Sequence, residues 1–207
     1  MRVAALRIGG EPEQWRKLGF DVQDEGIAML GGVRLELLPP GKQGAIESWA
    51  LEGTAVPGSI DGLPTAAGVR GGPEADHPNG ALAIDHLVVL TPSLERTAAA
   101  FAGIGVECRR VREAGGGVRQ GFLLMEDLLV EVVEGTGLRE DERAHFWGIT
   151  VVVADIDRAA ALLADKLGRV KDAVQPGRRI ATVRPEASGG LPLALITQRE
   201  RPQNVAP

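Results

Sequence analysis

IDHLVVLTPSLERTAAAF, residues 84–101, joins an apolar run rich in branched side chains, a Pro-Ser break and an alanine-rich segment. The run has the pattern of a strand with much of both faces covered. Ser93 stands where a helix N-cap is needed, and Leu94, Ala98, Phe101 and Ala102 recur at helical spacing until Gly103 and Gly105 end the helix. Three strands are expected next, at about 106–112, 117–125 and 127–134, with the glycine-dense AGGG at 114–117 turning the chain between the first two.

The same order recurs downstream. HFWGITVVVAD (145–155) reads as a strand and IDRAAALLADKL (156–167) as a helix capped by Asp155. Strands near 169–174, 178–184 and 191–197 follow, divided by Pro176-Gly177 and Ser188-Gly189-Gly190. Glu95-Arg96 matches Asp157-Arg158 at an offset of 62, Ile104-Gly105 matches Leu167-Gly168 at 63, and LLVEVVE at 128–134 matches PLALIT at 192–197. A tandem repeat of this kind fixes architecture before any single motif does.

The N-terminal part reads as a third, shorter copy: RVAALRI as a strand, EPEQWRKL as a helix ended by Gly19, then DVQDE, IAML and VRLELL as strands. VRLELL resembles LLVEVV, which places Glu36 opposite Glu131 in the pattern. AIESWALEG (45–53) is a further strand, and the Gly/Pro/Ala-rich stretch after it lacks periodicity and reads as a connector. The expected fold is α+β: tandem βαβββ modules forming curved mixed or antiparallel sheets with helices on the outer face. A partial module occupies 1–55, the connector 56–79, and a two-module domain 80–200, its modules at 82–134 and 145–198.

The chain has 207 residues, enough for one large or two small domains, and a formal net charge of −5, which argues against nucleic acid as a partner. Its single cysteine, Cys108, permits no intrachain disulfide and reads as a structural thiol. No secretory signal and no membrane-length apolar run are expected, so the compartment expected is the cytoplasm. Aromatic residues make up 3% and tyrosine is absent, which removes tyrosine as a general acid and disfavours base-stacking platforms.

Strand–helix–three strands in tandem, opening on IDHLVVL with an acid in the last strand, resembles the vicinal oxygen chelate superfamily. That group includes glyoxalase I, the bleomycin-resistance proteins, methylmalonyl-CoA epimerase and the extradiol dioxygenases. The resemblance implies that two modules pair into a cup around a small organic ligand, that a divalent metal where present is held by the first and last strands of each module, and that homodimers can form. His86 and Glu131 fall on those metal-ligand positions in the first module. In the second, Gly148 and Ala194 fall there and neither can coordinate through a side chain. A catalytic metal normally takes at least three protein ligands. Glu36, His145 and His77 are candidate third donors, each equally a loop, capping or surface residue.

Period-two alternation puts Leu129, Glu131 and Val133 on one face, and makes Glu134 an exposed strand end. Arg178 and Arg184 share a face by the same rule, with Arg119 at a comparable place in the preceding module; arginine suits carboxylate or phosphate, although a solvated face is the plainer account. Trp147 and Phe146 are candidates for an apolar wall or for core. The reading preferred is a small-molecule-binding protein like the bleomycin-resistance group, activity unassigned. The alternative is a metal-dependent isomerase, lyase or dioxygenase-type enzyme using His86 and Glu131.

Overall fold

Runs of strands are broken by a few short helices. β1 (Arg2–Gly9) leads into α1 (Pro12–Lys17), then β2 (Ile27–Leu30), β3 (Val33–Leu38), β4 (Ile46–Glu52), β5 (Ser59–Ile60) and β6 (Leu63–Ala67). A complete module follows: β7 (Ala81–Thr91), α2 (Leu94–Ala102), β8 (Cys108–Glu113), β9 (Arg119–Met125) and β10 (Leu128–Glu134). The next comprises β11 (His145–Val153), α3 (Ile156–Leu163), β12 (Lys171–Asp172), β13 (Arg179–Thr182), α4 (Pro185–Ser188) and β14 (Leu193–Thr197). The computed structural model describes residues 1–38, 44–53, 55–72, 75–126, 128–135 and 137–199. The fold is α+β, of tandem βαβββ modules. Among the described residues no helix is long and apolar enough to cross a membrane.

The two helices of the repeat start on side-chain caps. Ser93 Oγ accepts from the Arg96 N–H, and Asp155 accepts from the N–H groups of Asp157 and Arg158. Helix α3 is shorter than its sequence pattern: it ends at Leu163, and a 3-10 turn over Ala164–Lys166 carries the chain onward. Glu134 is not a free strand end. Its Oε2 accepts from the Leu94 N–H at 2.6 Å, at the start of α2, where a carboxylate complements the helix dipole.

The two modules share one eight-stranded sheet, ordered β12-β13-β14-β11-β7-β10-β9-β8. Strand β7 runs parallel to β10 and antiparallel to β11, which runs parallel to β14. The N-terminal sheet, ordered β2-β3-β1-β4-β6-β5, repeats this plan. There β1 is parallel to β3 and antiparallel to β4, and β4 is parallel to β6. It is therefore a reduced pair of modules, and the segment read as a connector supplies its last hairpin, β5–β6. The turn is Asp61-Gly62 at φ 47 and 95, the positive-φ pair that a tight hairpin requires. DVQDE forms no strand, because Arg16 reaches over it and donates to the carbonyls of Val22 and Gln23 at 3.1 and 3.0 Å.

Along the long sheet Leu87, Val89, Val130, Val132, Val151 and Leu195 are fully buried on one face. Trp49 of β4 packs edge-on against Phe101 of α2 at 5.9 Å and Phe146 of β11 at 5.3 Å. The N-terminal sheet thus covers the helix-bearing side through one continuous apolar core. The opposite side of the long sheet is left to line a hollow.

Candidate functional site

The residues that alternate with that buried set, among them His86 and Val88 on β7 and Glu131 and Val133 on β10, line a hollow of about 430 Å³. Its polar floor is a small group of side chains from neighbouring strands. His86 Nε2 lies 3.0 Å from Thr150 Oγ1 on β11 and 3.8 Å from Glu131 Oε2. Glu131 Oε1 accepts from Gln120 Nε2 at 2.7 Å, and Gln120 in turn accepts from Arg112 Nε at 2.9 Å. His86 and Glu131, placed together from sequence, are brought together here.

Asp85 completes the floor from behind. Consecutive strand residues ordinarily point to opposite faces, yet Asp85 Oδ2 is 2.8 Å from His86 Nδ1. A β-bulge allows this: Thr150 pairs with His86 and Val151 with Ile84, leaving Asp85 as the extra residue on β7. Arg178 Nη2 sits 2.6 Å from Asp85 Oδ1, with side-chain exposures of 3% and 7% for the two residues. Arg178 Nε donates to the Thr197 carbonyl at 2.8 Å. Burial pushes the Asp85 carboxyl up, but the hydrogen bonds from His86 and Arg178 and the charge of Arg178 outweigh it and hold the group down at about 2. Asp85 is therefore a carboxylate and can only accept. That fixes the proton of neutral His86 on Nδ1 and turns the Nε2 lone pair toward Thr150 and the hollow.

The donor set does not fit the divalent metal that the fold class implies. A Cβ at Gly148 would lie 2.3 Å from the Pro192 carbonyl oxygen, so the backbone packing that forms this corner leaves no room for any side chain. Ala194 carries no donor. Among the described residues no group of three histidine, cysteine or carboxylate side chains is placed to hold an ion. The candidate third donors are elsewhere. His77 is buried, its Nδ1 accepting from the Asp21 N–H at 2.8 Å and its Nε2 donating to the Met29 carbonyl at 2.7 Å. Glu36 stands on β3 of the other sheet, held by Arg34 at 2.9 Å and Arg7 at 3.2 Å. His145 is exposed at the first residue of β11.

The remaining sequence candidates divide. Trp147, 48% exposed, is a wall of the hollow, whereas Phe146 belongs to the core. Arg178 lines the space adjoining Asp85. Arg119 lies away from the hollow and ties β9 to α2 through Glu95 at 2.7 Å and Glu134 at 3.4 Å. Arg184 is also outside it, donating to the Asp165 carbonyl at 2.7 Å beside the start of α4. The two arginines expected to share a face do not, because β13 ends at Thr182. Sequence reasoning missed Asp85 and Thr150, and it noted Gln120 only beside Arg119; the bulge and the strand register bring the three to His86 and Glu131.

No protein-family model and no curated protein sequence matches the chain. Solved structures do. Methylmalonyl-CoA epimerase from Mycobacterium tuberculosis is 13% identical with a TM-score of 0.47, over 58% of this chain and 90% of that one. A hypothetical protein from Bacillus halodurans C-125 is 16% identical with a TM-score of 0.46, over 58% and 97%. A variant of the Streptomyces coelicolor epimerase in complex with 2-nitronate-propionyl-CoA is 26% identical with a TM-score of 0.43, over 56% and 96%. The epimerases belong to the vicinal oxygen chelate superfamily, and the likeness is structural only.

Proposed function

We propose that the chain is a small-molecule-binding protein whose ligand occupies the hollow of the eight-stranded sheet without a divalent metal. One observation carries this reading. An apolar chamber of about 430 Å³, walled by residues such as Val88, Val133 and Trp147, closes on a polar floor of His86, Thr150 and Glu131 whose other hydrogen bonds are already made to the protein. Such a chamber falls in the size range of ordinary ligand pockets, and a few fixed polar groups in apolar walls are their usual composition.

Trp147 supplies the test, since the other two tryptophans, Trp15 and Trp49, are 1% and 0% exposed. Titrating 2-naphthol and catechol should change tryptophan emission in the wild type, and Trp147→Phe should remove the signal while calorimetric binding persists. Val88→Trp, which fills the chamber, should abolish the heat. After incubation with zinc or nickel and dialysis, wild-type protein should retain substoichiometric metal, whereas Ala194→Glu, which adds a third donor, should retain it. Stoichiometric metal in the wild type, or heats unaffected by Val88→Trp, would overturn the reading.

A second reading, an enzyme using His86 and Glu131, is favoured by the Asp85 hydrogen bond that aims Nε2 at the hollow. Turnover of a bound compound that disappears in His86→Ala, with binding retained, would establish it.

A further inference from the structure

We propose that the ligand of this hollow is an amphipathic anion, an apolar body bearing a phosphate or comparable compact anionic group, with the anion held at the mouth of the cup. The inference rests on the hollow being a binding site and adds the chemistry of what enters it. Beyond the polar floor the hollow widens into a space of about 730 Å³ bounded by Arg110 and Arg112 of β8, Lys171 of β12 and Arg199 just past β14. Strands β8 and β12 are the two edges of the eight-stranded sheet, so their cations share one space only because the sheet curls. An adjoining space of about 520 Å³ shares Arg199 and adds Arg109 and Arg178.

The charge balance there runs against that of the molecule. Among the described residues these two spaces are lined by six cations and by three carboxylates, Asp85, Glu131 and Asp172, in a chain whose net charge is −5. Outside these spaces some arginines are paired, Arg119 with Glu95, Glu113 and Glu134, and Arg179 with Asp157. Among the described residues Arg109, Arg110, Lys171 and Arg199 take part in no ion pair. A bulge sharpens the concentration. Cys108 pairs with Leu123 and Arg110 with Phe122, which makes Arg109 the extra residue and brings two consecutive arginines to the mouth. Deeper in, Arg178 is 97% buried, and its Nη1 has no hydrogen-bond partner. A cleft lined by one sign of charge between low-dielectric walls focuses the field on its opening, and guanidinium groups suit phosphate and carboxylate oxygens. The apolar inner chamber takes the body of the same molecule.

Calorimetry with 2-naphthyl phosphate, 2-naphthalenesulfonate and 2-naphthol on the intact chain tests this. The phosphate should bind at least tenfold more tightly than the naphthol, with the sulfonate between them, and the advantage should shrink as salt is raised. Replacing Arg110 and Lys171 together by glutamine should bring the phosphate down to the naphthol's affinity and leave the naphthol unchanged; both residues are exposed, and circular dichroism checks that the fold persists. Val88→Trp should abolish binding of all three. Equal affinity for phosphate and naphthol, or an anionic advantage that survives the double substitution or Val88→Trp, would overturn the proposal while leaving the hollow a binding site. Binding of none of the three would remove both readings.

Discussion

Asp85 decides what His86 presents to the hollow, and its own state is set by Arg178. The carboxyl is held at about 2 against an ordinary 3.8, so its contribution to stability is complete above about pH 4 and is lost as pH falls through about 2, amounting to about 2 kcal/mol. Asp85→Asn removes that contribution and leaves the guanidinium of Arg178 buried without a counter-charge. The variant should unfold at lower urea at pH 7 by at least the equivalent of about 2 kcal/mol, with the gap to wild type closing between pH 4 and pH 2. A gap that stays constant over that range would show that the pair contributes nothing through charge. The approach of His86 and Glu131 was legible, because alternation along β10 assigns Glu131 its face and the family resemblance sets His86 on the neighbouring strand. Asp85 was not. Its direction depends on a bulge, and a bulge is a property of two paired strands that one strand's residues do not encode.

At the scale of elements, the β5–β6 hairpin does more than complete the N-terminal sheet. Its turn residue Asp61, with a side chain 1% exposed, accepts from Arg96 Nε at 2.8 Å and from Thr97 Oγ1 at 2.6 Å on α2, while its carbonyl accepts from the Ala144 N–H at 3.0 Å. One residue thus fastens the hairpin to α2 through its carboxylate and to the loop ahead of β11 through its carbonyl. Asp61→Ala should cost about 2 kcal/mol, since it strands a hydroxyl and a guanidinium that is itself a third exposed. Arg139→Ala, at the surface pair with Asp141, should leave the chemical-denaturation midpoint unmoved and serves as the control. Equal effects from the two would remove the docking role from Asp61. Composition hid this hairpin, because strands of two and five residues with Gly and Pro around them show no alternation to count. The Asp-Gly turn was the available signal. The two full modules were legible for the opposite reason: their strands and helices are long enough for period and cap to agree.

At the scale of the molecule, one strand plan is used twice for different ends. In the long sheet His86 pairs with Thr150, and Thr150 with Ala194; at matching places in the N-terminal sheet Ala5 pairs with Ala50, and Ala50 with Ala66. Three alanines stand where the long sheet has His86, Thr150 and Ala194, and Glu36, at the place of Glu131, is held by Arg7 and Arg34, so the N-terminal sheet retains the architecture of a cup-forming pair without its imidazole and hydroxyl. What it does instead is seal the other sheet's helices, with Trp49 as the contact shared by Phe101 and Phe146. Because the apolar core runs through both sheets without a break, neither has a separate interior to fall back on, and the two should unfold together. Trp49 is fully buried in the contact between them, so its emission reports their separation, while far-UV circular dichroism reports strand loss throughout. The two signals should give coincident urea transitions, with Trp147→Phe used to remove the exposed fluorophore. Trp49→Ala should lower stability by about 3–5 kcal/mol while keeping a single transition. Emission that moves at lower urea than the circular dichroism would mean that the sheets part before they melt, and the N-terminal sheet would then be an appended unit rather than half of the core.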